Sequence, residues 1–160
     1  MRSGSRLNAE RVRGGAVAGM VAGAAFAAVM ELDLALTGNR LNDFRLLAQL
    51  GPLKDHWRIS GPVAHVANSA LLGAIYASVE PRLTGPGWAR GLTFALAENT
   101  LLWPLVLLID RAHPAVASGE LATFNRPAAF GWETLRHATY GLVLGVCFER
   151  SCRHSATSHD

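Results

Sequence analysis

Four stretches of this chain, about 14–36, 62–80, 89–110 and 129–149, are rich in apolar residues, yet each carries acidic, imidazole or amide side chains. That combination constrains the fold more than any other feature. Crossing a hydrocarbon core takes ~20 mainly apolar residues of helix. Ionisable groups inside it are costly, so they face a bundle interior, pair with one another and mark a functional site. No charge falls between Gly14 and Ala28, and Glu98 is the only one from Gly91 to Ile109. The expected fold is therefore all-α: a polytopic membrane protein with four transmembrane helices spanning 14–149. A basic cytoplasmic segment, 1–13, precedes them and a cytoplasmic tail, 150–160, follows.

A water-soluble bundle of buried helices could carry apolar stretches of this length. The first segment argues against it. Gly15, Gly19, Gly23 and Ala27 form a small-xxx-small ladder, which lets membrane helices approach closely but would weaken an isolated soluble helix. Gly73, Gly141 and Gly145 extend the set of expected packing glycines. Arg2, Arg6, Arg11 and Arg13 before an Ala-rich run imitate a secretory signal, with an Ala-Phe-Ala site at 25–27. The apolar run continues past that site to Leu36 and three further apolar segments follow, so the expectation is a retained first span. The four-arginine cluster before the first span gives the expectation that both termini lie on the cytoplasmic side.

One lysine accompanies fourteen arginines, which with abundant Ala and Gly points to a GC-rich bacterial genome rather than to phosphate recognition. No basic patch is interleaved with aromatics, so the pI near 9.4 fits positive-inside loops and anionic headgroups better than nucleic acid. Cys147 and Cys152 are not a CxxC pair and face a reducing compartment, so no disulfide is expected.

The chain reads as one helical hairpin used twice in the same orientation. Arg13-Gly14 precedes Asp33 by the same twenty residues that separate Arg90-Gly91 from Asp110. His65 and His137 are each followed eight residues later by glycine, Gly73 and Gly145, and then by an aromatic ring. This predicts a tandem repeat of 72 to 77 residues. In the long first outer loop, Leu41, Phe44, Leu47 and Leu50 recur at helical spacing before Gly51-Pro52, predicting a short interfacial helix. Trp103 sits beside Pro104, which frees a carbonyl one turn back.

The expected polar core is Glu31, His65, Asn68, Glu98, Asn99, Glu133 and His137, a funnel open to the outside. His65, Asn68 and Ser69 share a helical face, and Glu133 and His137 are an i,i+4 pair. Glu31 and Asp33 are about 200° apart around their helix, so both cannot point inward. The reading takes Glu31 inward and Asp33 to the headgroups. Such a layer could relay protons, because imidazoles and desolvated carboxyls titrate near neutral pH. It could instead hold a metal on His65, Glu133 and His137, although the spacing is not that of a carboxylate-bridged di-iron bundle. A third alternative is that these groups only fix helix register by hydrogen bonding. No nucleophile with a base, phosphate-cradling loop or cofactor fingerprint occurs, so no cofactor is expected.

The stretch from His65 through Pro81, the Trp103-Pro104 break and Glu133-x-x-x-His137 together resemble the YagU-like small bacterial inner-membrane proteins, over roughly the last three spans. That resemblance implies an inner-membrane location and a contribution to survival at low pH, with no enzymatic activity to carry over; Glu133 and His137 are the positions transferred. The resulting expectation is a proton-responsive or solute-binding bundle linked to acid or envelope stress. The alternatives are a small membrane metalloenzyme or oxidoreductase, and an assembly factor or subunit of a larger complex. The bilayer is the expected partner, with a homodimer or larger membrane complex beside it.

Overall fold

The computed structural model describes residues 2–49 and 54–157, with side chains over 8–48 and 55–153. Leu50 and the Gly51-Pro52 break lie outside the described residues. The helices are α1 (Arg2–Thr37), α2 (Asp43–Gln49), α3 (Trp57–Val79), α4 (Gly87–Ala112), α5 (Pro114–Ala117) and α6 (Pro127–Thr157), and no strand occurs among the described residues. Asn8–Thr37, Trp57–Arg82 and Gly87–Ala112 are long and apolar enough to cross a membrane. α6 is longer than α3 and α4 but is not one of these candidates, because Glu133, Arg136 and His137 fall within two turns of one another in its apolar part. The basic segment 2–13 forms the first turns of α1.

α1 packs along both α3 and α6, and α4 packs along α6, giving the order α3, α1, α6, α4 in an open arc; α3 and α4 are not a packed pair. Two crossings in this arc depend on missing side chains. A Cβ on Gly19 would lie 2.9 Å from the Cα of Gly73, and one on Gly91 would lie 2.8 Å from the Cα of Gly145. Any larger residue would force the backbones apart, so glycine here serves close approach. Gly15 and Gly23 continue the α1–α3 contact, and Gly141 continues that of α4 and α6. The expected packing set therefore works within the chain.

Apolar side chains fill the rest of the arc. Ala18, Ala22, Phe26 and Met30 from α1 meet Tyr76 from α3 and Tyr140, Leu144 and Phe148 from α6 in one core. The outer faces present Leu36, Ile59, Leu101 and Leu108, all more than half exposed, as expected for surfaces solvated by lipid. A second cluster, Leu41, Ala115, Leu121, Phe124 and Ala129, forms a roof over one end of the bundle. The helix expected in the first long loop is α2, and it lies against α3 as part of this roof. We call this the loop end. The other, where α1 starts and α6 finishes, is the terminal end.

Candidate functional site

Helix phase explains which polar groups point inward. Asp33 lies eighteen residues after Gly15, five turns of about 3.6 residues, so it returns to the azimuth of the glycine ladder. Asp33 is accordingly buried at 3% exposure, whereas Glu31 is exposed. This reverses the expected assignment of the two acids. What draws Asp33 inward is Arg136, which is 0% exposed.

Arg136 is the centre of the loop end. Its Nη2 donates to Asp33 Oδ2 at 2.7 Å, and its Nη1 donates to Glu133 Oε1 at 2.6 Å and to Asp43 Oδ2 at 3.2 Å. Three elements, α1, α2 and α6, thus meet on one guanidinium, whose planar fork suits several carboxylates at once. Thr37 and Asn39 hold Asp33 from the other side. Asp43 starts α2, and its backbone N–H donates to the Met30 sulfur at 3.3 Å. Burial pushes the Asp43 carboxyl above the usual carboxylate range, against the pull of Arg136 and the two histidines His137 and His65. One cation facing three acids leaves a surplus of acid that a proton relieves.

Beside this cluster is a cavity of about 170 Å³. Its wall takes Phe26 from α1, Asp43 and Leu46 from α2, His65 and Asn68 from α3, Glu98 and Asn99 from α4, and Glu133, His137 and Tyr140 from α6. Six of the seven expected polar-core residues therefore border one space; Glu31 does not. Asn68 is exposed at its rim.

The central pair is Glu98 and His137. His137 Nδ1 donates to the Glu133 carbonyl oxygen at 2.8 Å, which leaves Nε2 facing Glu98 Oε2 at 3.1 Å. Either neutral imidazole accepts from a protonated Glu98, or imidazolium donates to its carboxylate; both forms keep one proton between the two atoms. His65 is held differently: its Nε2 donates to the Gly23 carbonyl oxygen at 3.0 Å, across the glycine crossing. Phe26 stands between the two imidazoles, with ring centroids 5.1 Å from His65 and 5.2 Å from His137. Asn99 donates to Thr134 at 3.2 Å, and Tyr140 donates to the Ser69 carbonyl oxygen at 2.9 Å.

The three residues of the metal alternative do not converge. His65 Nε2 is engaged by Gly23, His137 Nε2 by Glu98 and the Glu133 carboxyl by Arg136. Among the described residues no three His, Cys, Asp or Glu side chains stand together as a metal-binding group. Arg136 and Asp43 were missed as site residues. The signal for Arg136 was its place one turn after Glu133 and beside His137 in an apolar helix, where an unpaired arginine is untenable.

The loop end is braced further. Asp110, on the last turn of α4, accepts from the Phe124 backbone N–H at 2.8 Å and from the Thr123 hydroxyl. His113 Nε2 donates to the Leu46 carbonyl oxygen at 3.2 Å, and Arg45 pairs with Glu120. These contacts tie α2 and the end of α4 to the segment around α5. At the terminal end the charge ratio is inverted. Glu80 pairs with both Arg11 and Arg90, and Arg11 also donates to the Ala77 carbonyl oxygen at 2.9 Å.

No curated protein and no solved structure matches the chain. A family model does match it, over residues 9–159, and its description is a family of unknown function, DUF6789. The chain belongs to that family. Nothing in this match ties it to the YagU-like proteins.

Proposed function

We propose that this DUF6789 chain is a proton-responsive, solute-binding membrane bundle whose working site is the Glu98–His137 pair and the cavity it borders. On this reading α6 is a fourth span beside the three candidate helices, its charged turn shielded by α1, α2 and α4. The four spans form a tandem repeat of a helical hairpin, with both termini cytoplasmic in a bacterial inner membrane. Support for the repeat comes from the two glycine crossings: Gly91 and Gly145 each lie 72 residues after Gly19 and Gly73, the same offset that relates His137 to His65.

The observation that carries the functional reading is the 3.1 Å contact between His137 Nε2 and Glu98 Oε2 at a cavity wall. A carboxyl and an imidazole that hold one proton between them change net charge by one when the second proton arrives or the first leaves. Such a change alters what the cavity attracts. The physiological setting assigned here, acid or envelope stress, draws on the likeness to YagU-like proteins.

The test is tryptophan emission from protein in nanodiscs, followed between pH 5 and pH 8, since Trp103 also borders the cavity. A sigmoidal change that disappears in Trp103→Phe, Glu98→Gln and His137→Gln is expected. Emission that is flat with pH, or that keeps the same sigmoid in Glu98→Gln, removes the reading.

A further inference from the structure

The cavity's shape and charge say more about what it takes. Three carboxyls border it, Asp43, Glu98 and Glu133, with two imidazoles, His65 and His137, and, among the described residues, no lysine or arginine. Arg136 lies behind the wall, already shared among Asp33, Asp43 and Glu133. The surface a ligand meets is therefore acidic. Phe26, Trp103, Phe124 and Tyr140 place aromatic rings around the same space, the surroundings in which a quaternary ammonium is recognised.

The route in is lateral. Toward the terminal end, α3 and α4 are bridged by the Tyr76 and Phe94 rings, 5.3 Å apart, and by the Glu80–Arg90 ion pair. Toward the loop end, Leu46, Leu47 and Phe124 cover the cavity. Between these closures α3 and α4 are not packed together, and Leu102 at the cavity wall is 45% exposed. Size completes the argument. Sites for drug-sized molecules occupy ≈ 300–1,000 Å³, so about 170 Å³ holds a head group and leaves the remainder of a larger molecule outside.

We infer that the cavity binds the head of a single-tailed ammonium amphiphile, whose tail leaves through the seam between α3 and α4 into the surrounding lipid. This rests on the proposed function and names its ligand class. A free ammonium amphiphile is favoured over a choline lipid, because the lipid's phosphate would be brought against the same three carboxyls. Protons and the ammonium head compete for one acidic wall, formed by Asp43 on α2, His65 on α3, Glu98 on α4, Glu133 and His137 on α6, with Arg136 behind it.

The experiment is calorimetric titration of octyltrimethylammonium into the full chain in nanodiscs of zwitterionic lipid, with octyl sulfate as the tail-matched anion and empty nanodiscs subtracted. Expected is saturable binding of one ammonium per chain, no saturable binding of the sulfate, and an affinity at least tenfold weaker at pH 5.5 than at pH 8. Glu98→Gln should weaken binding at least tenfold. Leu102→Trp, which narrows the seam and leaves every acid in place, should do the same. Equal binding of the sulfate, or undiminished binding in both variants, overturns the inference. Because the emission titration uses no ligand, a pH response without ammonium binding removes the ligand class alone, and loss of both removes the proposed function as well.

Discussion

At the loop end one guanidinium serves three carboxyls; at the terminal end one carboxylate serves two guanidiniums. The comparison separates two uses of charge. Arg136 is wholly enclosed, so each of its partners depends on it, and removing it strands acids away from water. Glu80 is itself only 10% exposed, but Arg11 and Arg90 keep 32% and 22% of their side chains exposed, so water can solvate the cations when Glu80 is lost. The terminal end thus carries surplus positive charge at a wet surface, where it suits anionic headgroups. At the loop end the buried cluster around Arg136 carries surplus acid in an enclosed site, where a proton or a cation has to balance it.

The sharpest way to break the comparison is Arg136→Ala. It should destabilise the protein by about 3–5 kcal/mol, seen as a large drop in the thermal unfolding midpoint in detergent and in recovered monodisperse protein. Combining Arg136→Met with Asp33→Asn and Glu133→Gln should restore most of that loss. A single alanine variant as stable as the parent would mean that the three acids do not depend on the guanidinium.

Next in size are the glycine crossings, which hold the two ends in line. Gly19→Leu or Gly91→Leu should cost about 1–3 kcal/mol through overpacking. Gly131→Ala, at an exposed position where an added Cβ meets nothing within 4 Å, should be neutral or gain up to about 1 kcal/mol of helix propensity. Equal effects at the crossings and at Gly131 would show that the close approach is not required.

Glu80→Gln tests the terminal end directly. A loss of about 1 kcal/mol that shrinks as salt is raised is expected, and an effect as large as that of Arg136→Ala would erase the distinction between the ends. The smallest change should come from Asp43→Asn, at about 1 kcal/mol or less near neutral pH. Since burial raises its pKa, the folded state favours protonated Asp43 more than the unfolded chain does. That contribution is complete below the unfolded pKa and is lost as pH rises through the folded one. Unfolding midpoints of Asp43→Asn against pH should therefore be flatter than those of the parent, and parallel curves would refute the assignment.

Much of this arrangement was legible in residue spacing. The packing glycines marked three of the four residues at the two crossings, Gly91 being absent from them, and of four apolar runs three coincide with the candidate spans. Amides, imidazoles and carboxyls stand out in apolar helices, and six of those singled out in this way border one cavity. Glu31 was misplaced because the two acids were weighed against each other and not against the azimuth of Gly15, which Asp33 shares and Glu31 opposes. Arg136 was missed because a charge near a helix end reads as a loop residue until its acids are known, and those acids come from α1 and α2, far away in the chain. Long-range pairing of this kind leaves no local period to read.

The Arg136–Asp33 bond also sets an order of events during synthesis. Its two residues are separated by 103 positions, and at about 5–20 residues per second a ribosome needs roughly 5–20 s to deliver the second after the first. For that interval Asp33 lacks the guanidinium it pairs with in the folded chain. Until then only the local bonds from Thr37 and Asn39 hold the Asp33 carboxyl, and the emergence of α6 is the step that completes the cluster.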